Sequence, residues 1–129
     1  MNVKDKGRSR VGRMGEDAVC GYLIERGHSV IERNWRMGHL EIDIITLAPD
    51  GLHFVEVKSR TAPLTADPED NVGWLKQKRV AEAAQGYLNS KDTSLLSGLE
   101  VWLDVAAVVF DGSDTEITYY PAAYTPIYT

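Results

Sequence analysis

A carboxylate and an ammonium stand two residues apart in Leu52-His53-Phe54-Val55-Glu56-Val57-Lys58, a stretch otherwise apolar enough for a central strand. Side chains alternate faces along a strand, so Phe54, Glu56 and Lys58 share one side and Val55 and Val57 the other. Glu56 and Lys58 then lie about 6.6 Å apart along the strand. That gap suits a metal ligand and a cation flanking one phosphate, although a solvated strand end with an ion pair would look the same in isolation. A second acidic strand just upstream, Leu40-Glu41-Ile42-Asp43-Ile44-Ile45, joined through Pro49-Asp50-Gly51, favours the chemical reading. Asp43 and Glu56 fall on neighbouring strands and can point into one cleft, which Glu16 could join from a helix packed across the sheet. Hard oxygen ligands of this kind suit Mg²⁺ or Mn²⁺, which bind through one or two carboxylates plus substrate phosphate. Such an ion activates water and neutralises phosphodiester charge, and Lys58 would stabilise developing negative charge or help activate the nucleophile. Three carboxylates, one divalent ion and one ammonium sum to zero charge before substrate arrives.

The elements that must position these groups follow from periodicity. Arg10 to Arg26 reads as a helix whose buried stripe runs through Val11, Met14, Ala18 and Tyr22, with Val19 and Leu23 as further candidates, ended by Gly27. Gly12 and Gly15 weaken that helix, which points to close packing or close ligand approach beside Glu16. Strands are expected at Ser29 to Trp35, Leu40 to Leu47 and Leu52 to Lys58, with short links that make an antiparallel meander. Residues 61–71 form a polar, proline-punctuated loop of the kind that carries function. Val72 to Leu88 is a second helix with Val80, Ala83, Ala84, Tyr87 and Leu88 on its apolar face and Lys76, Gln77, Lys78 and Arg79 in its first half. Val101 to Phe110 reads as a buried strand and Glu116 to Tyr120 as an edge strand, with Asp111 to Asp114 as the turn. The order is helix, three strands, helix, two strands: one α/β domain over residues 1–129 with a mixed sheet. Residues 1–9 are expected to be a flexible basic arm.

Composition restricts the setting. The chain is 43% hydrophobic and 26% charged, as soluble globular domains are. A single cysteine, Cys20, excludes an internal disulfide framework, and together with the basic, core-free start of the chain it leads us to expect a cytoplasmic protein without a secretory signal. No apolar run reaches the ~20 residues that span a bilayer. The net charge is −5, yet residues 1–64 carry ten Lys/Arg against nine Asp/Glu while residues 65–129 carry four against ten. Lys4, Lys6, Arg8, Arg10 and Arg13 crowd the start, an arm able either to bind phosphates or merely to keep the chain soluble.

Four stretches together carry a family resemblance: Gly12-Arg13-Met14-Gly15-Glu16-Asp17-Ala18, Arg33-Asn34-Trp35-Arg36, Glu41-Ile42-Asp43-Ile44-Ile45 and Phe54-Val55-Glu56-Val57-Lys58-Ser59-Arg60. In order and spacing they closely resemble the YraN-like family of small bacterial proteins over roughly Gly12 to Tyr124. That family resembles a minimal restriction-endonuclease-like, PD-(D/E)xK, domain related in architecture to archaeal Holliday-junction resolvases. The resemblance implies a three-layer core, Asp43 and Glu56 as metal ligands, Lys58 as the catalytic lysine and Glu16 as an auxiliary acid and ligand. It implies a Mg²⁺- or Mn²⁺-dependent nuclease acting on DNA, branched or damaged DNA included. Arg13, Arg36, Arg60, Lys76, Gln77 and Arg79 are the expected nucleic-acid contacts, with Lys78 beside them. The chain departs from the family pattern at Ile42, Leu40 and Trp102, where proline (in the superfamily's name), glycine and arginine respectively are more usual; the substrate cleft is affected more than the metal site.

Other residues are read as ordinary. His39, Glu41 and Asp43 alternate and could present a transition-metal site, but His39 is read as a loop residue and Glu41 as a surface or supporting group. His28 and His53, which have no partner at motif spacing, are read as ordinary polar positions, Cys20 as a small core residue, and Tyr119, Tyr120, Tyr124 and Tyr128 as a tyrosine-rich edge and tail packed over the sheet. Trp35, Trp74 and Trp102 are core or cleft-wall candidates, Trp74 being the most exposed. Two rivals accompany the nuclease: a binding module that recognises DNA shape with little chemistry, and a protein-binding adaptor. A homodimer is left open.

Overall fold

The structure is a computed structural model that describes residues 9–63, 74–90, 96 and 98–124. Its elements are α1 (Arg10–Glu25), β1 (Ser29–Met37), β2 (Leu40–Ala48), β3 (Gly51–Thr61), α2 (Trp74–Ser90), β4 (Val101–Asp111) and β5 (Asp114–Tyr124). This is the expected order. Ser9 caps α1 by accepting a 2.9 Å hydrogen bond from the Gly12 N–H, which satisfies one of the free donors of the first turn. Gly51 opens β3 at φ +130° with the Glu100 carbonyl oxygen 2.3 Å from where a Cβ would stand, so the start of β3 admits only glycine. Most of the expected 61–71 loop, the first residues of the basic arm, the first two residues of the expected second helix and Tyr128 lie outside the described residues, as do the side chains of Trp74, Lys76 and Tyr124.

The five strands form one mixed sheet in the order β1-β2-β3-β4-β5. Neighbours are antiparallel except β3 and β4, which run parallel and are linked through α2, as a parallel pair requires a crossover. Two apolar clusters lie on opposite faces. Val19, Cys20 and Leu23 of α1 pack with Ile44, Val55, Ala106 and Val108 on one. Val80, Ala83, Ala84 and Tyr87 of α2 pack with Ile42, Ile45, Leu52, Phe54 and Leu103 on the other. The result is a helix–sheet–helix sandwich with the core in both layers.

The expected apolar stripe of α2 is the buried one, with Ala81 added and Leu88 at its edge. The stripe of α1 is rotated toward Val19 and Leu23 of the expected positions. Its buried residues are Gly15, Glu16, Val19, Cys20 and Leu23, while Met14 is 41% exposed. The reason is Gly15: a Cβ there would stand 1.8 Å from Ser59 Oγ and 2.9 Å from Ser59 Cβ, so α1 lies directly on β3 along its glycine. β5 is longer than expected, and the turn before it shortens to Gly112 and Ser113, with Gly112 at φ +63°.

A local change of face organises β1 and β2. Arg33 and Ile44 face α1, whereas Trp35 and Ile42, two residues along each strand, join the α2 layer. The register pairs Arg33 with Ile44 and Trp35 with Ile42, so the changeover falls at Asn34 and Asp43. Asn34 takes φ +53°, a region that asparagine tolerates better than most residues.

Candidate active site

β2 and β3 pair only from Ile44↔Val55 to Ala48↔Gly51. Beyond that point Leu40 to Asp43 stay with β1, Glu56 to Thr61 stay with β4, and the two strands fork. At the apex the Asp43 carboxylate takes over from the backbone ladder: its Oδ2 accepts a 2.8 Å hydrogen bond from the Val57 N–H. The fork holds a cleft of about 170 Å³ lined by His39 to Asp43 on the β2 side, Val55 and Glu56 on the β3 side, and Arg79 and Val80 from α2. Sequence alternation and the clusters agree on facing, since Phe54 is in the α2 layer and Val55 and Val57 in the α1 layer. Glu56 and Lys58 therefore face the α2 layer, from which Arg79 joins the cleft lining. The structure thus gathers Asp43, Glu56 and Arg79 of the expected residues.

Asp43 is half-buried at the apex, and desolvation there, reinforced by Glu56, Glu16 and Glu41, raises its pKa from 3.8 to about 7 despite the Val57 hydrogen bond. Around neutrality it is a carboxyl group that either keeps or loses its proton. Glu56 is buried and lies beside it. Glu16 comes from the other layer: its carboxylate lies 3.7 Å from Arg33 Nη2, which also donates to Asp17 at 2.8 Å. It biases Asp43 from behind. Glu41 shares the cleft wall but pairs with Arg36 at 3.2 Å, so Arg36, an expected phosphate contact, is engaged by a carboxylate at the rim. Lys58 is half-buried one strand repeat beyond Glu56 and is not part of the cleft lining. Arg13 and Lys78 are exposed, and Arg60 and Gln77 half-buried; the Lys76 side chain lies outside the described residues. Among the described residues no group of three or more His, Cys, Asp or Glu side chains is arranged to hold a metal ion; the cleft offers Asp43 and Glu56 as a pair.

The α1 layer contains a second polar constellation that the sequence reading missed. His53 is buried rather than an ordinary polar position. Its Nδ1 lies 2.6 Å from Asp104 Oδ2 and its Nε2 2.7 Å from Asp50 Oδ1. Burial disfavours the imidazolium, but the two carboxylates outweigh it and raise the pKa of His53. Asp104 is fully buried and also accepts from the Tyr119 hydroxyl and, at 2.7 Å, from the Ala122 N–H. His28 is likewise engaged: its ring lies 4.6 Å from that of His53 and its Nδ1 is 2.7 Å from Thr46 Oγ1. Burial and the neighbouring His53 lower its pKa. Tyr22 stacks on Tyr119 at 5.6 Å, so the tyrosine packing expected over the sheet is present at Tyr119, while Tyr120 is 51% exposed. With both ring nitrogens of His53 engaged, this network ties α1, β3, β4 and β5 together. One signal was available in advance: Asp104 is a lone carboxylate in an apolar strand and had to find a partner.

The model of the uncharacterised protein family UPF0102 matches residues 15–108, nearly three quarters of the chain and all of Glu16, Asp43, Glu56, Lys58 and Arg79. The chain belongs to the UPF0102 family. Its relatives there include UPF0102 proteins of Anaeromyxobacter dehalogenans, 37% identical over 92% of this chain and 86% of the relative, and of Bacteroides thetaiotaomicron, 34% identical over 92% and 94%. Another, from Syntrophotalea carbinolica, is 37% identical over 91% and 93%. This family is the YraN-like one whose motifs the sequence resembles. Among the described residues no helix is long and apolar enough to cross a membrane.

Proposed function

We propose that this UPF0102 protein is a Mg²⁺- or Mn²⁺-dependent nuclease that hydrolyses DNA phosphodiesters, with branched or damaged DNA as the substrates its sequence resemblance favours. The observation that carries this reading is the fork between β2 and β3, with Asp43 and Glu56 at its apex and Arg79 over it. Two hard carboxylates beside an arginine suit a divalent ion that completes its coordination with waters and phosphate oxygens. Asp43 and Glu56 would hold that ion, which when bound supplies Lewis-acid neutralisation of phosphate charge. The chain's own groups do the rest. Arg79 binds and orients the phosphate, and Lys58, on the Glu56 face of β3, offers a cation to the charge that develops in the transition state. Asp43, with its pKa raised to about 7, would hold or release a proton around neutrality beside that site.

The test is cleavage of duplex, flap and four-way-junction DNA with Mg²⁺ or Mn²⁺. Wild type should cut at least one of these, and Glu56→Ala and Lys58→Met should not, while Lys58→Met keeps DNA binding within a few-fold. A second reading is supported by the paired, rather than triple, carboxylates and by Lys58 standing outside the cleft lining: a DNA-structure-binding module with little chemistry. Tight binding without cutting under both metals selects that reading. Absence of binding at low salt sinks both.

A further inference from the structure

We propose that His39 is a phosphate-contacting residue, set on the lip of the cleft opposite Arg79, so that the substrate backbone crosses the fork between the β1–β2 turn and α2. This rests on the phosphodiester reading above and adds the direction of approach. Three carboxylates, Glu41, Asp43 and Glu56, line the cleft, and a phosphodiester drawn among them is repelled unless donors flank it on both sides. Arg79 supplies the α2 side. On the other side Arg36 is engaged by Glu41, which leaves the imidazole of His39 as the donor that the β1–β2 turn places in the cleft lining.

The three histidines differ in a way that decides the assignment. His28 and His53 are bound into the buried network. His39 is exposed and, among the described residues, no hydrogen bond, ion pair or ring contact engages its side chain. A two-residue turn with Gly38 at φ +62° fixes its place at the mouth of the fork. Neutral imidazole carries one N–H and the cation two, so a phosphate oxygen finds a donor in either state. Contacts of this kind set register and orientation, not sequence preference. With Arg79 on the far lip, they would seat a phosphate over Asp43 and Glu56.

The experiment measures binding of a fluorescent duplex DNA to the full chain in chelator, beside thermal melts and steady-state cleavage. His39→Ala should weaken binding about tenfold, the loss of one hydrogen bond to a charged group, with an unchanged melting temperature because His39 is exposed. His39→Gln, which keeps a donor, should recover most of the loss, and His39→Lys should bind at least as tightly as wild type. In cleavage the His39→Ala change should raise KM rather than lower kcat, as expected of a contact made equally in ground and transition states. Wild-type binding and KM in His39→Ala overturn the inference and leave the cleft reading intact. A loss of binding that tracks a fall in melting temperature also overturns it, since the role would then be structural. No DNA binding by wild type overturns both.

Discussion

At the scale of single residues, the two perturbed acids and bases make opposite arguments. Asp43 has its folded pKa raised from 3.8 to about 7, so its contribution to stability is whole below about pH 4 and is lost as pH rises toward neutrality. Asp43→Asn removes that ionisation and still offers an oxygen to the Val57 N–H. The metal-free variant should melt with wild type near pH 4 and about 3–5 °C above it near pH 8. Equal melting curves at the higher pH would show that Asp43 is not destabilised by ionising. His53 is raised too, and its contribution is full below pH 6.5 and fades as pH climbs through the folded value. Replacing it is a different matter, because Asp104 would stay buried with only Tyr119 and the Ala122 N–H. His53→Ala should cost about 2–4 kcal/mol in denaturant titration. A cost below about 0.5 kcal/mol, the size of a change at an exposed position, would mean that Asp104 is satisfied without it. The contrast also measures legibility. Asp43, Glu56 and Lys58 announce themselves through spacing along single strands. His53 and Asp104 are 51 residues apart and meet only because β3 and β4 pair in parallel.

At the scale of elements, periodicity located both helices and all five strands but not how they sit. The buried face of α1 includes Val19 and Leu23 of the expected positions but turns away from Met14, because the contact with β3 is made through Gly15, which has no side chain. Gly15→Ala should destabilise by about 1–3 kcal/mol through overpacking. Ser59→Ala alone should be neutral or slightly stabilising, since Ser59 Oγ is buried without a hydrogen-bond partner. The pair should recover only part of the loss, because the Ser59 Cβ itself stands 2.9 Å from the added methyl group. Full recovery in the double variant, read by thermal melts, would place the clash on the hydroxyl alone. The fork was equally hidden. A meander of acidic strands is visible in the sequence, but nothing in an alternating pattern states where two paired strands part. That parting turns two carboxylates on neighbouring strands into the wall of a cleft, and it falls beside the change of face at Asn34 and Asp43.

At the scale of the molecule, a net charge of −5 is no obstacle to binding nucleic acid, because the charge is divided unevenly. The exposed strand ends that flank the β4–β5 turn carry Asp111, Asp114 and Glu116, at the opposite edge of the sheet from β1. Arg36 and Arg79 lie at or near the fork. On the proposed reading the acidic β4–β5 end repels a polyanion and leaves the fork as its seat, and at physiological ionic strength that repulsion fades beyond about 8 Å. Contact and steering separate in a salt titration. Four to six phosphate contacts predict a slope of log K against log[salt] of roughly −4 to −5. Deleting Met1 to Arg8 removes Lys4, Lys6 and Arg8 and should flatten that slope by about 2–3 if those groups reach phosphate. Neutralising Asp111, Asp114 and Glu116 together should raise affinity at low salt and leave the slope almost unchanged, because no counterion is released by groups that never touch DNA. A truncated chain with the full slope would confine the phosphate contacts to the folded domain. A neutralised hairpin that changes the slope by a whole unit would put the DNA on the β5 edge, and the fork could then no longer be its seat.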